Sequence, residues 1–472
     1  MARYDMTIIG GGSGGLTAAR IAASLGASVL LVDKESLGGD CLRYGCVPSK
    51  SLIHVARMVH QAKGVAKLGL VPADLQVDMA QVSRYVQDVI SRVSEAEKVY
   101  TEHVTVRFGE VTFASPRVVR LDDEDITSRT TVIATGSHPA IPQVEGLHET
   151  GFMTNMDVFD LTHLPASIII VGGGPIGVEL GQAFARLGTT VTLIQGPERI
   201  LPREDPEVST AVAGVLTCEG VTIVTGARFV KANRNGSKKV VTARQGEQLV
   251  SFEADEIVIA LGRQPNVEGL DLEAAGIVYD AHGIKVNAYL QTSASDVFAI
   301  GDVTGGYLFT HVATYQAKIA VRNALVPLGR KKVDYRVVPW CTFSDPEAAR
   351  IGLTPDEARK QHKLVRIVKL PWADIDRAQT EGETAGFMKL VLAGKKDEIV
   401  GVHLVGVRAG ELLGELALAM QHKLTLNDIF GTIHAYPTMS TGVQQVAAEA
   451  YLQGSQAISN RRIVRTLLNF RK

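Results

Sequence analysis

Two stretches of the chain repeat one pattern of apolar and small residues. Residues 4–35 read YDMTIIGGGSGGLTAARIAASLGASVLLVDKE, and residues 166–195 read ASIIIVGGGPIGVELGQAFARLGTTVTLIQ. Each opens on a short apolar run and breaks on glycines. Each then continues with small and apolar residues at helical spacing and ends in a second apolar run. A strand, a glycine turn, a helix and a parallel strand account for that order. The run Ile168–Val171 is far too short to cross a bilayer.

The glycines carry the chemistry of the repeat. Gly10, Gly12 and Gly15, and again Gly172, Gly174 and Gly177, stand in the G-x-G-x-x-G order of a dinucleotide-binding βαβ unit. The first of each trio makes the tight turn, the second admits a pyrophosphate, and the third lets the helix close on the strands. The helix N-terminus then offers free N–H groups to the phosphates. Asp33, at the end of the second strand of the first unit, suits the ribose hydroxyls of an adenosine. Gln195 holds the equivalent place in the second unit. An uncharged Gln does not repel a 2′-phosphate, and Arg199 and Arg203 follow closely, so NADPH is the preferred donor. The alternative is that both arginines are solvated loop charges and that NADH serves; Gly177 would also suit NAD.

Three later segments read as buried strands closing on a glycine turn: TTVIATGSHP (130–139), EIVIALGRQPN (256–266) and VFAIGDVTGG (297–306). Beyond Arg336 the pattern shifts to shorter alternating strands such as FMKLVL and EIVGVHLVG. A Leu/Ala-rich helix at Gly410–His422 and then HAYPTMSTG follow. The expected fold is α/β, with two Rossmann-type nucleotide-binding units and a C-terminal α+β unit. The expected division is 1–150, 151–268, 269–335 (a return to the first unit) and 336–472.

Composition adds limits. Over 472 residues the net charge is -1, with 46% hydrophobic and 21% charged residues. That balance offers no basic footprint for nucleic acid and no polybasic membrane anchor. The opening MARYDMTIIGGGSGG runs directly into a strand, without the leader of a signal peptide, so a cytoplasmic enzyme is expected.

Four cysteines are present, at 41, 46, 218 and 341. A structural disulfide framework is not expected in a cytosolic protein of this size. Cys41 and Cys46 sit in LGGDCLRYGCVPSKSLIHVARMVHQA, where Leu52, Val55, Ala56 and Val59 form a helical stripe and Pro48 suits a first turn. Cys46 is thereby placed at or near a helix N-terminus, where the dipole favours a thiolate. A thiolate serves disulfide exchange and soft-metal capture alike. Half of a zinc site is the alternative reading, but no second pair completes it. Cys218 reads as a helix or turn residue. Cys341 reads as a packed strand residue, with a third sulfur ligand to substrate as the alternative.

Together these motifs resemble the class I pyridine nucleotide–disulfide oxidoreductases, which include dihydrolipoamide dehydrogenase, glutathione reductase and mercuric reductase. GGGSGG, GGDCLRYGCVPSK, TVIATGSHP, GGGPIGVELG, GRQPN, VFAIGDVTG and YPTMST occur in that family's order across nearly the whole chain. The resemblance implies FAD and NADPH (or NADH) as cofactors and a Cys41–Cys46 redox disulfide. Cys41 would be the thiol that meets substrate and Cys46 the thiol that faces the flavin. It implies a Lys50–Glu179 ion pair near flavin N5, and Asp302 on the ribityl and phosphate region. It also places Gly14, Lys34, Gly39, Lys50, Thr135, Gly136, Gly262, Arg263 and Gly301 among the cofactor contacts. His311 would cap or pack beside the flavin. It implies a head-to-tail homodimer, with each site completed by the partner; the charge balance speaks against nucleic acid and membrane as partners.

The departures bear on substrate. Disulfide-reducing members carry a His before Pro-Thr and a Glu five residues later. Here those places hold Tyr436 and Thr441, while His434 lies two residues earlier. A tyrosine is a poor base at neutral pH. Reduction of a soft metal ion, held transiently by Cys41 and Cys46, needs no such base. The reading favoured is mercuric-reductase-like electron transfer to an ion such as Hg(II), although the chain reads TLLNFRK where mercuric reductases carry a Cys-Cys. Arg43, Tyr44 and Pro175 depart from the family in the redox loop and at the nicotinamide gate. A dihydrolipoamide dehydrogenase or other disulfide reductase, a transhydrogenase or quinone-type reductase, and a flavoprotein subunit of a larger complex are the alternatives.

Overall fold

The computed structural model describes residues 3–71, 75–326 and 328–470. The first repeat forms the centre of a seven-stranded sheet. Strand Arg3–Ile9 lies between Val29–Asp33 and Glu124–Ile133, parallel to both, and Thr105–Phe108 extends the parallel set. The ten-residue strand Glu124–Ile133 serves two further neighbours along its other edge. Its first half pairs antiparallel with Val118–Leu121, and its second half pairs parallel with Val297–Ala299. The chain thus leaves this sheet, builds a second one and comes back to it.

That second sheet repeats the first in miniature. Ser167–Val171 pairs in parallel with Thr190–Ile194 on one side and Glu256–Ile259 on the other. A three-stranded antiparallel sheet, Ala227–Asn235, Lys238–Gln245 and Gln248–Ala254, sits beside it. In both units the helix that follows the glycines starts from a glycine in the same extended conformation: Gly12 at φ −75°, ψ −175° before Ser13–Ser24, and Gly174 at φ −77°, ψ −175° before Pro175–Leu187. Neither helix start receives a side-chain cap, so the first-turn N–H groups remain for a ligand. The third glycines are packing residues. A Cβ on Gly15 or Gly177 would lie 1.8 Å from the carbonyl oxygen of Gly10 or Gly172.

The C-terminal part is a five-stranded antiparallel sheet in the order Pro339–Thr342, Glu347–Gly352, Glu398–Gly406, Phe387–Ala393, Val365–Pro371. Helices Ala409–Gln421 and Thr441–Gln453 contribute to its core. Alternation was expected along FMKLVL, yet all seven residues of Phe387–Ala393 are buried. The strand tolerates this because Lys389, its one charge, is neutralised inside the protein by Asp205 at 2.9 Å and Glu207 at 2.7 Å. Among the described residues no helix is long and apolar enough to cross a membrane.

Candidate active site

The redox loop is built directly on the first glycine turn. Gly38 and Gly39 take positive φ (98° and 60°), and the Gly38 N–H donates to the Gly11 carbonyl at 2.9 Å. A Cβ on Gly39 would stand 2.8 Å from Gly12 Cα, so only glycine lets the two loops touch there. The short helix Gly39–Arg43 carries Cys41, and the next helix, Cys46–Gly64, begins at Cys46 itself. Leu52, Ala56 and Val59 bury the expected stripe, with Val55 half-buried.

The two thiols lie close enough to shift each other's pKa, and Thr310 Oγ1 lies 3.6 Å from Cys46 Sγ. The Cys41 contact, then Thr310 and the charge of Lys50, outweigh burial and bring the Cys46 pKa down to about 6. The same pairing pushes Cys41 strongly upward, with burial adding to it. One turn further along the helix, Lys50 Nζ meets Glu179 Oε2 at 2.7 Å. Glu179 is buried, and its other oxygen accepts the Phe343 N–H at 2.8 Å. Lys50 also lies 4.5 Å above the Phe343 ring. Residues from the first unit, the second unit and the C-terminal part are thereby brought to one point.

A cavity of about 870 Å³ runs from the first glycine turn to this point. Gly10, Gly12, Gly14, Asp33, Lys34, Gly39, Thr135, Gly136, Gly301 and Asp302 line it, together with Cys41, Cys46, Lys50 and Glu179. Asp33 Oδ2 accepts the Gly11 N–H at 2.6 Å, which fixes the turn. Lys34 is ion-paired with Glu110 at the surface. Gly15 is absent from the lining, in keeping with its packing role.

Midway along the cavity, Arg263 gathers three groups. It donates to Ser137 Oγ at 2.7 Å and to the Ser137 carbonyl at 2.8 Å, pairs with Asp40 at 2.9 Å, and stands 3.8 Å from Asp302. Burial raises the Asp302 carboxyl, while the Ser137 hydroxyl at 2.6 Å and Arg263 oppose it. Thr135 and Asn266 exchange hydrogen bonds at 2.7 Å, clasping the two glycine loops that follow the nucleotide units. These features fit an FAD: the first glycine turn with Gly38 and Gly39 for the pyrophosphate, an uncapped helix start, Asp33 at the ribose end, and a buried carboxyl on the way to the cysteines. The volume lies within the roughly 300–1,000 Å³ of cofactor sites.

The second glycine turn faces elsewhere. Gly172, Gly174, Gly177, Gln195, Arg199 and Gly262 do not line the cavity, whereas Pro175, at the start of the same helix, does. A Cβ on Gly174 would meet nothing within 4 Å, so the space in front of that helix is free for a nicotinamide nucleotide. Gln195 is buried and accepts the Gly173 N–H at 2.7 Å, the structural counterpart of Asp33 on Gly11. Arg199 is exposed and donates to the Pro202 carbonyl.

His434 and Tyr436 are not at the cysteine pair of their own chain. His434 Nε2 lies 2.8 Å from Glu415 Oε1 and Nδ1 lies 2.9 Å from the Thr432 carbonyl, so both ring nitrogens face acceptors. The Tyr436 hydroxyl donates to Asp376 at 2.9 Å, an interaction that raises its pKa further from neutrality. Cys341 does line the cavity, from strand Pro339–Thr342, but burial pushes its thiol well up. Cys218 ends helix Pro206–Cys218, exposed. His311 stacks on Phe309 (centroids 5.3 Å), which stacks on Trp340. The sequence reading overlooked Thr310, Ser137, Asp40 and Phe343. The first three adjoin residues already singled out, whereas nothing local marks Phe343.

The family model described as pyridine nucleotide-disulphide oxidoreductase matches residues 4–317, and the model for that family's dimerisation domain matches residues 338–447. The chain is 35% identical to a mercuric reductase of Staphylococcus aureus over 451 residues, covering 94% of the chain and 82% of the relative. It is 36% identical over 473 residues to a dihydrolipoyl dehydrogenase of Thermus scotoductus, covering 98% and 100%. Among solved structures, it is similar to a Cu(II) complex of the HOCl-induced flavoprotein disulfide reductase RclA from Escherichia coli. The TM-score is 0.85 at 27% identity, covering 95% of this chain and 99% of that one.

Proposed function

The chain belongs to the pyridine nucleotide–disulfide oxidoreductase family of FAD- and NAD(P)H-dependent enzymes, and on that premise we propose that it passes electrons through Cys41 and Cys46 to a soft metal ion such as Hg(II). The observation that carries the substrate class is the proton chemistry. Cys46 holds a thiolate near neutrality, while the family's base position is taken by Tyr436, which Asp376 moves further from neutrality, and both ring nitrogens of His434 are engaged by Glu415 and the Thr432 carbonyl.

FAD, when bound, supplies the route by which two electrons from the nicotinamide reach the disulfide. The residues do the rest. Gly10, Gly12 and Gly14 hold the pyrophosphate and Asp33 the ribose, while Asp302 with Ser137 and Arg263 fixes the middle of the cofactor. Gly172, Gly174 and Gln195 hold the nicotinamide nucleotide, with NADPH preferred. Lys50, held by Glu179, sets the charge beside the cysteines. Two electrons and one proton convert the disulfide to a Cys46 thiolate and a Cys41 thiol. A soft ion then binds both sulfurs as Cys41 gives up its proton. The two thiolates then give that ion two electrons, re-forming the Cys41–Cys46 disulfide and releasing the element, with no leaving group to protonate. A substrate disulfide instead releases a thiolate that must be protonated, a task for which a positioned acid–base is worth about 10²–10⁴ in rate. The enzyme works as a homodimer, with the partner's C-terminal part completing the site.

A second reading has one observation in its favour: His434 and Glu415 form an imidazole–carboxylate pair, the kind that disulfide reduction uses. Steady-state NADPH oxidation separates the two, with mercuric ion in excess thiol compared with lipoamide. The proposal expects rapid mercury turnover, abolished in Cys41→Ala and Cys46→Ala, and slow lipoamide turnover. Fast lipoamide turnover lost in His434→Gln would establish the second reading instead.

A further inference from the structure

The helix Ser455–Phe470 lies beyond the matched dimerisation domain and carries an uncovered apolar face. Ile463, Val464, Leu467 and Leu468 are 55%, 52%, 58% and 56% exposed. At about 100° per residue these four side chains share an arc of roughly 140°. Arg461 and Arg465 fall just outside that arc, on the polar side; Arg461 also reaches the Leu452 carbonyl at 3.4 Å. The helix sequence contains three Arg residues and no Asp or Glu, in a chain whose net charge is only -1. Whole-chain balance therefore conceals a strongly basic amphipathic helix.

We propose that this helix docks the enzyme on membranes containing anionic phospholipid, lying in the interface and not crossing it. Its aliphatic arc enters the boundary between headgroups and acyl chains, and its arginines meet the phosphates. A second copy of the helix is a poor occupant. Two copies of the helix face to face would bring two positively charged patches together, with no acidic residue in the segment to offset them.

Flotation of the FAD-loaded full-length enzyme tests this, using vesicles of phosphatidylcholine alone and of phosphatidylcholine with phosphatidylglycerol. The enzyme should float with the anionic vesicles only, and 0.5 M salt (about three times physiological ionic strength) should release most of it. Leu467→Glu with Leu468→Glu should abolish flotation while NADPH–ferricyanide activity and flavin content stay unchanged. Arg461→Gln and Arg465→Gln should each lower the partition about fivefold. Failure to float with anionic vesicles, or flotation indifferent to the Leu→Glu pair, overturns the proposal. If wild type fails to float and the Leu→Glu pair lowers the oligomeric state in light scattering, the face is an interface between copies.

Discussion

Cys41 and Cys46 are the same side chain in two environments. Cys46 begins a helix and is held as a thiolate by Cys41, with Thr310 and Lys50 adding to it; Cys41 is half-buried and keeps its proton. In the reduced enzyme a single thiolate should therefore absorb at 240 nm, appearing with a midpoint near pH 6 as the pH rises. Below that midpoint the thiolate, and with it metal capture, should fall about tenfold per pH unit. Cys41→Ala and Thr310→Ala should each move the midpoint upward. A midpoint left in place by both would contradict the assignment. Cys341 stays a thiol at the same pH because burial holds it there, so Cys341→Ser should leave mercury turnover within about twofold of wild type.

At the level of elements, the two glycine turns are near copies of each other, and their glycines do separable work. Gly177 closes the helix on the turn, where a Cβ would sit 1.8 Å from the Gly172 oxygen; Gly174 faces open space. Gly177→Ala should therefore cost about 1–3 kcal/mol or more by overpacking, read by urea denaturation. Gly174→Ala should hold stability within about 0.5 kcal/mol while raising the KM for NADPH. Equal effects on stability would show that Gly174 is a packing residue too. The repeat was legible in the sequence because a βαβ unit is local: apolar period, glycine spacing and strand-end Asp or Gln all fall within about thirty residues. The Cys46 helix start was legible for the same reason. What escaped was assembled across sheets. Phe343 meets Lys50 and Glu179 only through tertiary packing, and Arg263 reaches Asp40 across separate units. Buried Lys389 broke the alternation expected of its strand because its partners lie some 180 residues away in the chain. The basic helix at 455–470 escaped because the charge was summed over the whole chain.

At the scale of the molecule, buried ion pairs tie the C-terminal sheet to the second nucleotide unit. Arg186 is held between Glu219 at 2.6 Å and Asp345 at 2.7 Å, and Lys389 between Asp205 and Glu207. Removing one partner leaves uncompensated buried charge, so Arg186→Ala should lower unfolding stability by about 3–5 kcal/mol. A loss under about 1 kcal/mol would mean that the network is not a tie. These joints keep Glu179 and Phe343 registered against Lys50, and so keep the cysteines where the two nucleotide units and the C-terminal part meet. If electrons from the nicotinamide reach that pair, a count of free thiols will show it. The chain has four cysteines. The oxidised enzyme, denatured without air, should show two thiols, at Cys218 and Cys341, and anaerobic NADPH should raise the count to four by adding Cys41 and Cys46. Four thiols before reduction, or two after it, would contradict the account.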